Sequence, residues 1–347
     1  MIKVLIPSMP TADELLPYLR EIDEARFYVK GGPLVKRLER ELSALTHSPC
    51  TVVGNGTVSL ELALRALDLP RGAGVLVPAV TFVATAQAVV NAGYAPVLCD
   101  VDAGTWQLSA EHATQIVRSD RSIRAVIPVA AFGLPVPIEP WERFNYRTNL
   151  PVLIDAAGAI YGQQTSPVPE IVVSFSLNAT KALGAGEGGV VATSDLLLGE
   201  RVASLANFGP GGTNARMSEY HAAAALASLR HVTSWRADVD RWYGAHLPDG
   251  LGLQQGAQPM RTLFPVLLPE HLSAAEEAEW MRRRGIEAKL WYRPFLDERA
   301  EFLGCAKCGP MPVTEMLRWR LLGLPYHEFL TEADVAEVCS AFTRITG

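Results

Sequence analysis

The sequence predicts an α/β protein with a large domain on a mostly parallel sheet and a smaller C-terminal α+β domain. Three observations carry that prediction. Short apolar runs at 50–53, 75–78, 95–101, 124–129, 151–155 and 172–176 read as strands, three of them near-continuous, as in a sheet buried on both faces. Segments between them, such as 109–117, have helical spacing, and alternating strands and helices build parallel sheets. From about Trp235 the texture changes to an Arg-rich helix, strands at 262–268 and 285–291, a helix at 274–284 and a closing helix at 331–345. The chain is therefore divided into 1–234 and 235–347, with the first ~20 residues expected to pack on the smaller part.

Bulk properties exclude several classes. The 347 residues are 49% apolar and 20% charged, an ordinary globular composition. A net charge of -6 without any basic run argues against nucleic acid as a partner. Five scattered cysteines fit a reducing cytoplasm better than a disulfide framework. Cys305-Ala-Lys-Cys308 is a lone CxxC with no second cysteine or histidine pair, so a loop is preferred to a zinc site and no metal is expected. No secretory leader is evident and no apolar run reaches about 18 residues, so a cytoplasmic protein that neither leaves the cell nor spans a membrane is expected.

Taken in order, residues 11–50 read as helices interrupted at Gly31-Gly32-Pro33, with Leu34, Leu38 and Leu42 on one face. Spacing alone does not say what that break is for. The strand at 50–53 runs through Gly54-Asn-Gly-Thr57 into a helix marked by Leu60, Ala63, Leu64 and Leu67. Strand, glycine turn and helix present backbone N–H groups to an anion, although the same residues also make an ordinary turn. Phe82 stands where the strand at 75–78 gives way to the helix at 81–91, as a packed core residue or at a ligand's edge.

Two charged residues stand out. Asp155 ends an apolar strand, where a buried carboxylate needs a cationic partner or serves as a cap. Lys181 lies in a small-residue turn between apolar runs, with Gly184, Gly186, Gly188 and Gly189 around a lone Glu187. A lysine stripped of water tends toward the neutral amine, the form that attacks a carbonyl. The alternative is a surface lysine in a glycine-rich loop, and these residues alone leave both open. The polar stretch 205–218 is long for a compact domain and reads as functional or as part of an interface.

Gly56-Thr57 before a helix, Pro78-Ala-Val-Thr-Phe-Val-Ala-Thr85, Asp155-Ala-Ala157, Ser176-Leu-Asn-Ala-Thr-Lys181, Gly186-Glu-Gly-Gly189 and Asn214-Ala-Arg-Met-Ser218 occur in an order that resembles the DegT/DnrJ/StrS sugar aminotransferases. The likeness extends to Gly31-Gly-Pro33, Gly285-Ile286, Tyr292-Arg-Pro294 and Leu324-Pro325, and so to nearly the whole chain. It implies fold type I, with a seven-stranded sheet, and the cofactor pyridoxal 5'-phosphate (PLP), which alternates with its pyridoxamine form. Carried over residue by residue, it implies that Lys181 bonds to the cofactor and serves as base, while Asp155 pairs with the ring nitrogen. Phe82 would stack on the ring. Gly56, Thr57 and Val58 in the turn and the Ser176 hydroxyl would hold the phosphate, with Asn214 entering from the second subunit of a homodimer.

The sequence departs from that pattern at Gly158, where the family commonly has Gln or His, at Asn178, where it has His, and at Leu296, where a His often follows the Arg-Pro pair. Ala130 and Ala131 stand near the place of a further His. The resemblance implies amination of a nucleotide-linked keto-sugar, foremost a 4-keto-6-deoxyhexose, with glutamate or glutamine as donor. Alternatives are a cyclitol ketone as substrate, a dehydratase, a non-catalytic regulatory or binding protein, and a chance match of motifs. Retention of Lys181 speaks against the dehydratase, which has histidine in its place.

Overall fold

The computed structural model describes residues 1–29, 31–230, 235–257 and 260–344. The boundary expected after residue 234 and the expected helix end at 345 lie outside the described residues. The chain runs through α1 (Ala12–Ala25), α2 (Pro33–Thr46), β1 (Cys50–Val53), α3 (Gly56–Ala66), β2 (Gly74–Pro78), α4 (Val83–Asn91), β3 (Ala95–Cys99) and α5 (Ala110–Ser119). β4 (Ile123–Val126), α6 (Ile138–Thr148), β5 (Val152–Asp155), β6 (Ile171–Ser176), β7 (Gly189–Ala192), α7 (Leu196–Ala206) and α8 (Glu219–Ser228) follow. The C-terminal part contributes α9 (Trp235–His246), β8 (Gly252–Leu253), β9 (Phe264–Leu267), α10 (Ala274–Arg283), β10 (Ala306–Lys307), α11 (Pro312–Arg320), β11 (Leu321–Leu324) and α12 (Glu332–Ser340).

One sheet organises the molecule, in the order β1-β7-β6-β5-β4-β2-β3-β10. β7 is antiparallel to both neighbours, and the remaining pairs are parallel. The seven expected strands are present, and the two-residue β10 extends the β3 edge. Every residue of β2, β5, β6 and β7 is buried. Their side chains divide between two cores: Val173 and Phe175 join α2, α5, α6 and α8 on one face, and Val172 joins α3, α4 and α7 on the other. This two-sided burial is why the strands read as continuous apolar runs rather than alternating ones.

The Gly31-Gly32-Pro33 break now has a function in the fold. α2 starts with Pro33 at its first turn and has no cap of its own; the buried Glu219 carboxylate of α8 accepts from the amides of Leu34 (2.8 Å) and Val35 (3.1 Å). A helix's free N-terminal N–H groups favour an anion there. Gly32 must lack a side chain, since a Cβ would lie 2.7 Å from the Glu219 carboxyl carbon.

The C-terminal part has its own antiparallel sheet, β11-β9-β8, and an apolar cluster that includes Tyr243, Phe264, Val266, Leu322 and Val338. The N-terminal residues join it: Ile2 bridges Ile286, the Val4 carbonyl accepts from Tyr326 N–H (2.9 Å), and Ser8 donates to Glu328 (2.7 Å). Two expectations are corrected here. The run 285–291 is no strand, because only Ile286 and Lys289 find pairing partners, in single bridges to Ile2 and Gly323. The closing helix stops at Ser340, and Phe342 packs into the core from a turn.

Cys305 packs on one face of the large sheet and Cys308 on the other, as side chains either side of a two-residue strand must. Both are free cysteines. Among the described residues no helix is long and apolar enough to cross a membrane.

Candidate active site

Asp155 is the last residue of β5, at the carboxyl end of the sheet, where ligands of open α/β sheets lie. It is 5% exposed. Its Oδ2 accepts from the Thr85 hydroxyl (2.7 Å) and its Oδ1 from the Ala157 amide (3.2 Å). Thr85 gives its only proton to Asp155, so the Thr81 hydroxyl, 2.8 Å away, donates to Thr85. Burial raises the Asp155 pKa, while Thr85, Ala157 and the charge of Lys181 draw it back. Among the described residues, no lysine or arginine forms an ion pair with it.

Lys181 follows β6 in a turn fixed mostly by Asn178. The Asn178 carbonyl accepts from the Lys181 amide (2.8 Å), its Oδ1 accepts from the Thr180 amide (3.1 Å) and hydroxyl (2.8 Å), and its Nδ2 donates to Glu187 (2.8 Å). Asn178 thus does positional work, and Glu187 is the anchor of this turn. The Lys181 ammonium has no hydrogen bond or ion pair among the described residues. Burial lowers its pKa, opposed by the Asp155 charge. The folded chain therefore favours the neutral amine more than water does.

At the neighbouring strand end, Asn55 caps α3 by accepting from the Val58 amide (2.9 Å). Of the three turn amides expected to face an anion, that of Val58 is therefore already engaged, leaving those of Gly56 and Thr57. A Cβ on Gly56 would sit 2.7 Å from Ser176 Cβ and 2.9 Å from its Oγ. Ser176 Oγ accepts from the Asn178 amide (3.3 Å), so its proton remains free for a ligand. Gly56→Ala is expected to destabilise the apoprotein by about 1–3 kcal/mol through overpacking, measured by denaturant unfolding. An unchanged unfolding midpoint would contradict the close Gly56–Ser176 approach.

Phe82, at the N-terminus of α4, is 57% exposed and meets Tyr292 edge to face at 6.4 Å. Tyr292 in turn stacks on Phe132 at 5.0 Å and accepts from the Phe132 amide (3.3 Å). Burial raises the Tyr292 phenol pKa well above its ordinary value, so this ring stays neutral. Sequence reasoning assigned Tyr292 no role; its only signal was the Tyr-Arg-Pro motif.

The remaining expected residues divide. Asn214 is exposed, in a loop beside Gly54, where its Oδ1 accepts from Arg216 Nε (3.1 Å), and among the described residues it forms no hydrogen bond with Lys181. Gly158 has no space for a side chain, because a Cβ would lie 2.9 Å from Thr262 Oγ1. Leu296 is fully buried in the core beside α3 and α4.

This arrangement suits a ligand that has a carbonyl carbon for an amine, an anion for the turn amides and Ser176, and a protonated nitrogen for a buried carboxylate that forms no ion pair among the described residues. Comparison with known proteins agrees with that chemistry. Residues 11–343 match the model of the DegT/DnrJ/EryC1/StrS aminotransferase family. The UDP-N-acetyl-3-dehydro-alpha-D-glucosamine 3-aminotransferase of Acidithiobacillus ferrooxidans is 30% identical, over 96% of this chain and 94% of its own. The dTDP-4-amino-4,6-dideoxy-D-glucose transaminase of Shigella dysenteriae is 26% identical, over 98% and 97%. A solved Bacillus cereus protein assigned as a PLP-dependent aminotransferase is 26% identical and superposes with a TM-score of 0.91, over 98% of this chain and 99% of its own. The chain belongs to the DegT/DnrJ/EryC1/StrS aminotransferase family.

Proposed function

We propose that this protein binds PLP and transfers an amino group from glutamate or glutamine to a nucleotide-linked keto-sugar, foremost a 4-keto-6-deoxyhexose. The observation that carries the proposal is the pair of half-buried Lys181, biased toward its neutral amine, and buried Asp155, whose carboxylate forms no ion pair among the described residues. A bound PLP supplies an electron sink for the pair left when a proton departs from the donor Cα. The neutral Lys181 Nζ would hold the cofactor through its carbonyl carbon and would serve as the base at the donor Cα. Asp155 keeps the ring nitrogen protonated. The Thr81–Thr85 relay and the Ala157 amide hold its carboxylate in place for that task. The Gly56 and Thr57 amides and the Ser176 hydroxyl take the phosphate, the α3 N-terminus adding its dipole. Phe82 would lie against the cofactor ring, with Tyr292 bracing Phe82 edge to face.

The division into 1–234 and 235–347 belongs to this reading, the first part holding the cofactor. The keto-sugar itself is supported by relatives that act on dTDP- and UDP-linked sugars. The reading includes a homodimer in which Asn214 reaches the partner's cofactor site. Support comes from exposed Phe27, Tyr28, Val29 and Tyr220 on one face, with Tyr28 and Tyr220 stacked at 6.3 Å, and from exposed Phe208 in the loop that carries Asn214. Sedimentation is expected to give a dimer, and a fully active monomer would contradict the shared site.

The functional test is a panel of dTDP-, UDP- and GDP-linked 3- and 4-keto-sugars plus a keto-inositol, with glutamate as donor and mass detection of the amine. Amination of a nucleotide-linked ketone is expected. Turnover of the keto-inositol alone, or of none, would overturn the substrate assignment.

A further inference from the structure

Thr262 belongs to the C-terminal part, yet its side chain reaches the site. Its hydroxyl donates to the Gly158 carbonyl and its amide to the Phe132 carbonyl (3.4 Å). Two glycines make room for it. A Cβ at Gly158 would lie 2.9 Å from Thr262 Oγ1 and 3.5 Å from its Cβ, and one at Gly133 would lie 2.9 Å from both its amide nitrogen and its Oγ1. Gly133, at φ +92°, also needs its conformational freedom, whereas Gly158 lies outside the left-handed region, so space alone accounts for it.

The two turns that Thr262 joins both serve the site. The Gly158 turn begins at Asp155 and supplies the Ala157 amide to its carboxylate (3.2 Å). The Phe132 turn carries the ring and amide that hold Tyr292. Thr262 therefore ties the Asp155 turn, through its hydroxyl, to the Tyr292 support, through its amide. We propose that Thr262 is a positioning residue: from the C-terminal part it fills the space beside Gly158 and fixes the turn that aims the Asp155 carboxylate. This rests on the cofactor reading above, since the aim is toward the ring nitrogen of PLP.

Two substitutions separate positioning from mere packing. Thr262→Val keeps the shape and removes the hydroxyl, and Thr262→Ser restores the hydroxyl. In the PLP-loaded protein, the pH midpoint of the visible absorbance band is expected to move by about 0.5 unit or more in Thr262→Val and to return to within about 0.2 unit of wild type in Thr262→Ser. A Thr262→Val protein that melts lower but keeps the wild-type midpoint would reduce Thr262 to a structural tie and overturn the proposal.

The shared space is tested in the apoprotein. Gly158→Ala is expected to lower the melting temperature and Gly158→Ala/Thr262→Ala to recover part of that loss. Additive losses would contradict the premise. The double variant also lacks the hydroxyl, so its band midpoint should move as in Thr262→Val, which keeps the test open should Thr262→Val not fold. A wild-type protein without a visible band would remove the cofactor reading and this proposal with it. A normal wild-type band whose midpoint is indifferent to loss of the hydroxyl would remove this proposal alone.

Discussion

Lys181→Ala is expected to lower the rate of amino transfer by at least about 10³-fold, with the protein still folded and still able to hold PLP through its phosphate contacts. The expectation follows from two separate losses. The variant has no amine with which to attach the cofactor and no base near the donor Cα. The amine that is lost is also unusual, since burial lowers its pKa and it has no hydrogen-bond partner among the described residues. A group whose folded pKa is lowered costs stability wherever the unfolded chain would protonate it. Near neutral pH the Lys181→Ala apoprotein is therefore expected to melt no lower than wild type, apart from any loss of side-chain packing. Transamination within tenfold of wild type would contradict the assignment.

Asp155→Asn is expected to have the next largest effect, roughly 10²–10⁴-fold on the rate, while PLP remains bound. The amide keeps the shape, and its single oxygen can still accept from the Ala157 amide, while its NH2 takes the second oxygen's place and the Thr85 hydroxyl turns to accept from it. The asparagine cannot keep the ring nitrogen protonated. The sign of the stability change differs from that of an ordinary salt-bridged carboxylate. Burial raises the Asp155 pKa in the fold, so the charged form costs stability above that pKa. The variant apoprotein is accordingly expected to be at least as stable as wild type at neutral pH, with the advantage shrinking as the pH falls and Asp155 takes up its proton. Rates and melting curves on the same preparations separate lost chemistry from lost folding. Near-normal rates would remove the role given to Asp155.

The parts of this molecule that the sequence reveals are those set by neighbours along the chain. Strands buried on both faces are continuous apolar runs, and an acid or a lysine inside such a run is conspicuous, which is why Asp155 and Lys181 could be singled out. Contacts distant in sequence left no comparable trace. Glu219 caps α2 across 185 residues, and Thr262 meets Gly158 across 104. Tyr292 meets Phe132 across 160. Gly32 reads only as part of a break, and Gly158 only as a missing Gln or His, until the side chains that occupy their missing Cβ positions are seen. The misread strand at 285–291 has the same origin: the apolar pattern is present, but strands also need partners, and the fold offers only two single bridges. Asn178 replaces an expected histidine, and its three side-chain hydrogen bonds make the turn that presents Lys181.

The most direct test of the central claim, that Lys181 and Asp155 form a PLP-dependent amino-transfer site, is the absorbance spectrum of the purified protein with PLP, before and after addition of glutamate. A visible band from covalently bound cofactor is expected, replaced on adding glutamate by the shorter-wavelength absorbance of pyridoxamine phosphate and absent in its normal form from Lys181→Ala. No visible band in the wild-type protein, or a band that neither glutamate nor glutamine changes, would contradict the claim.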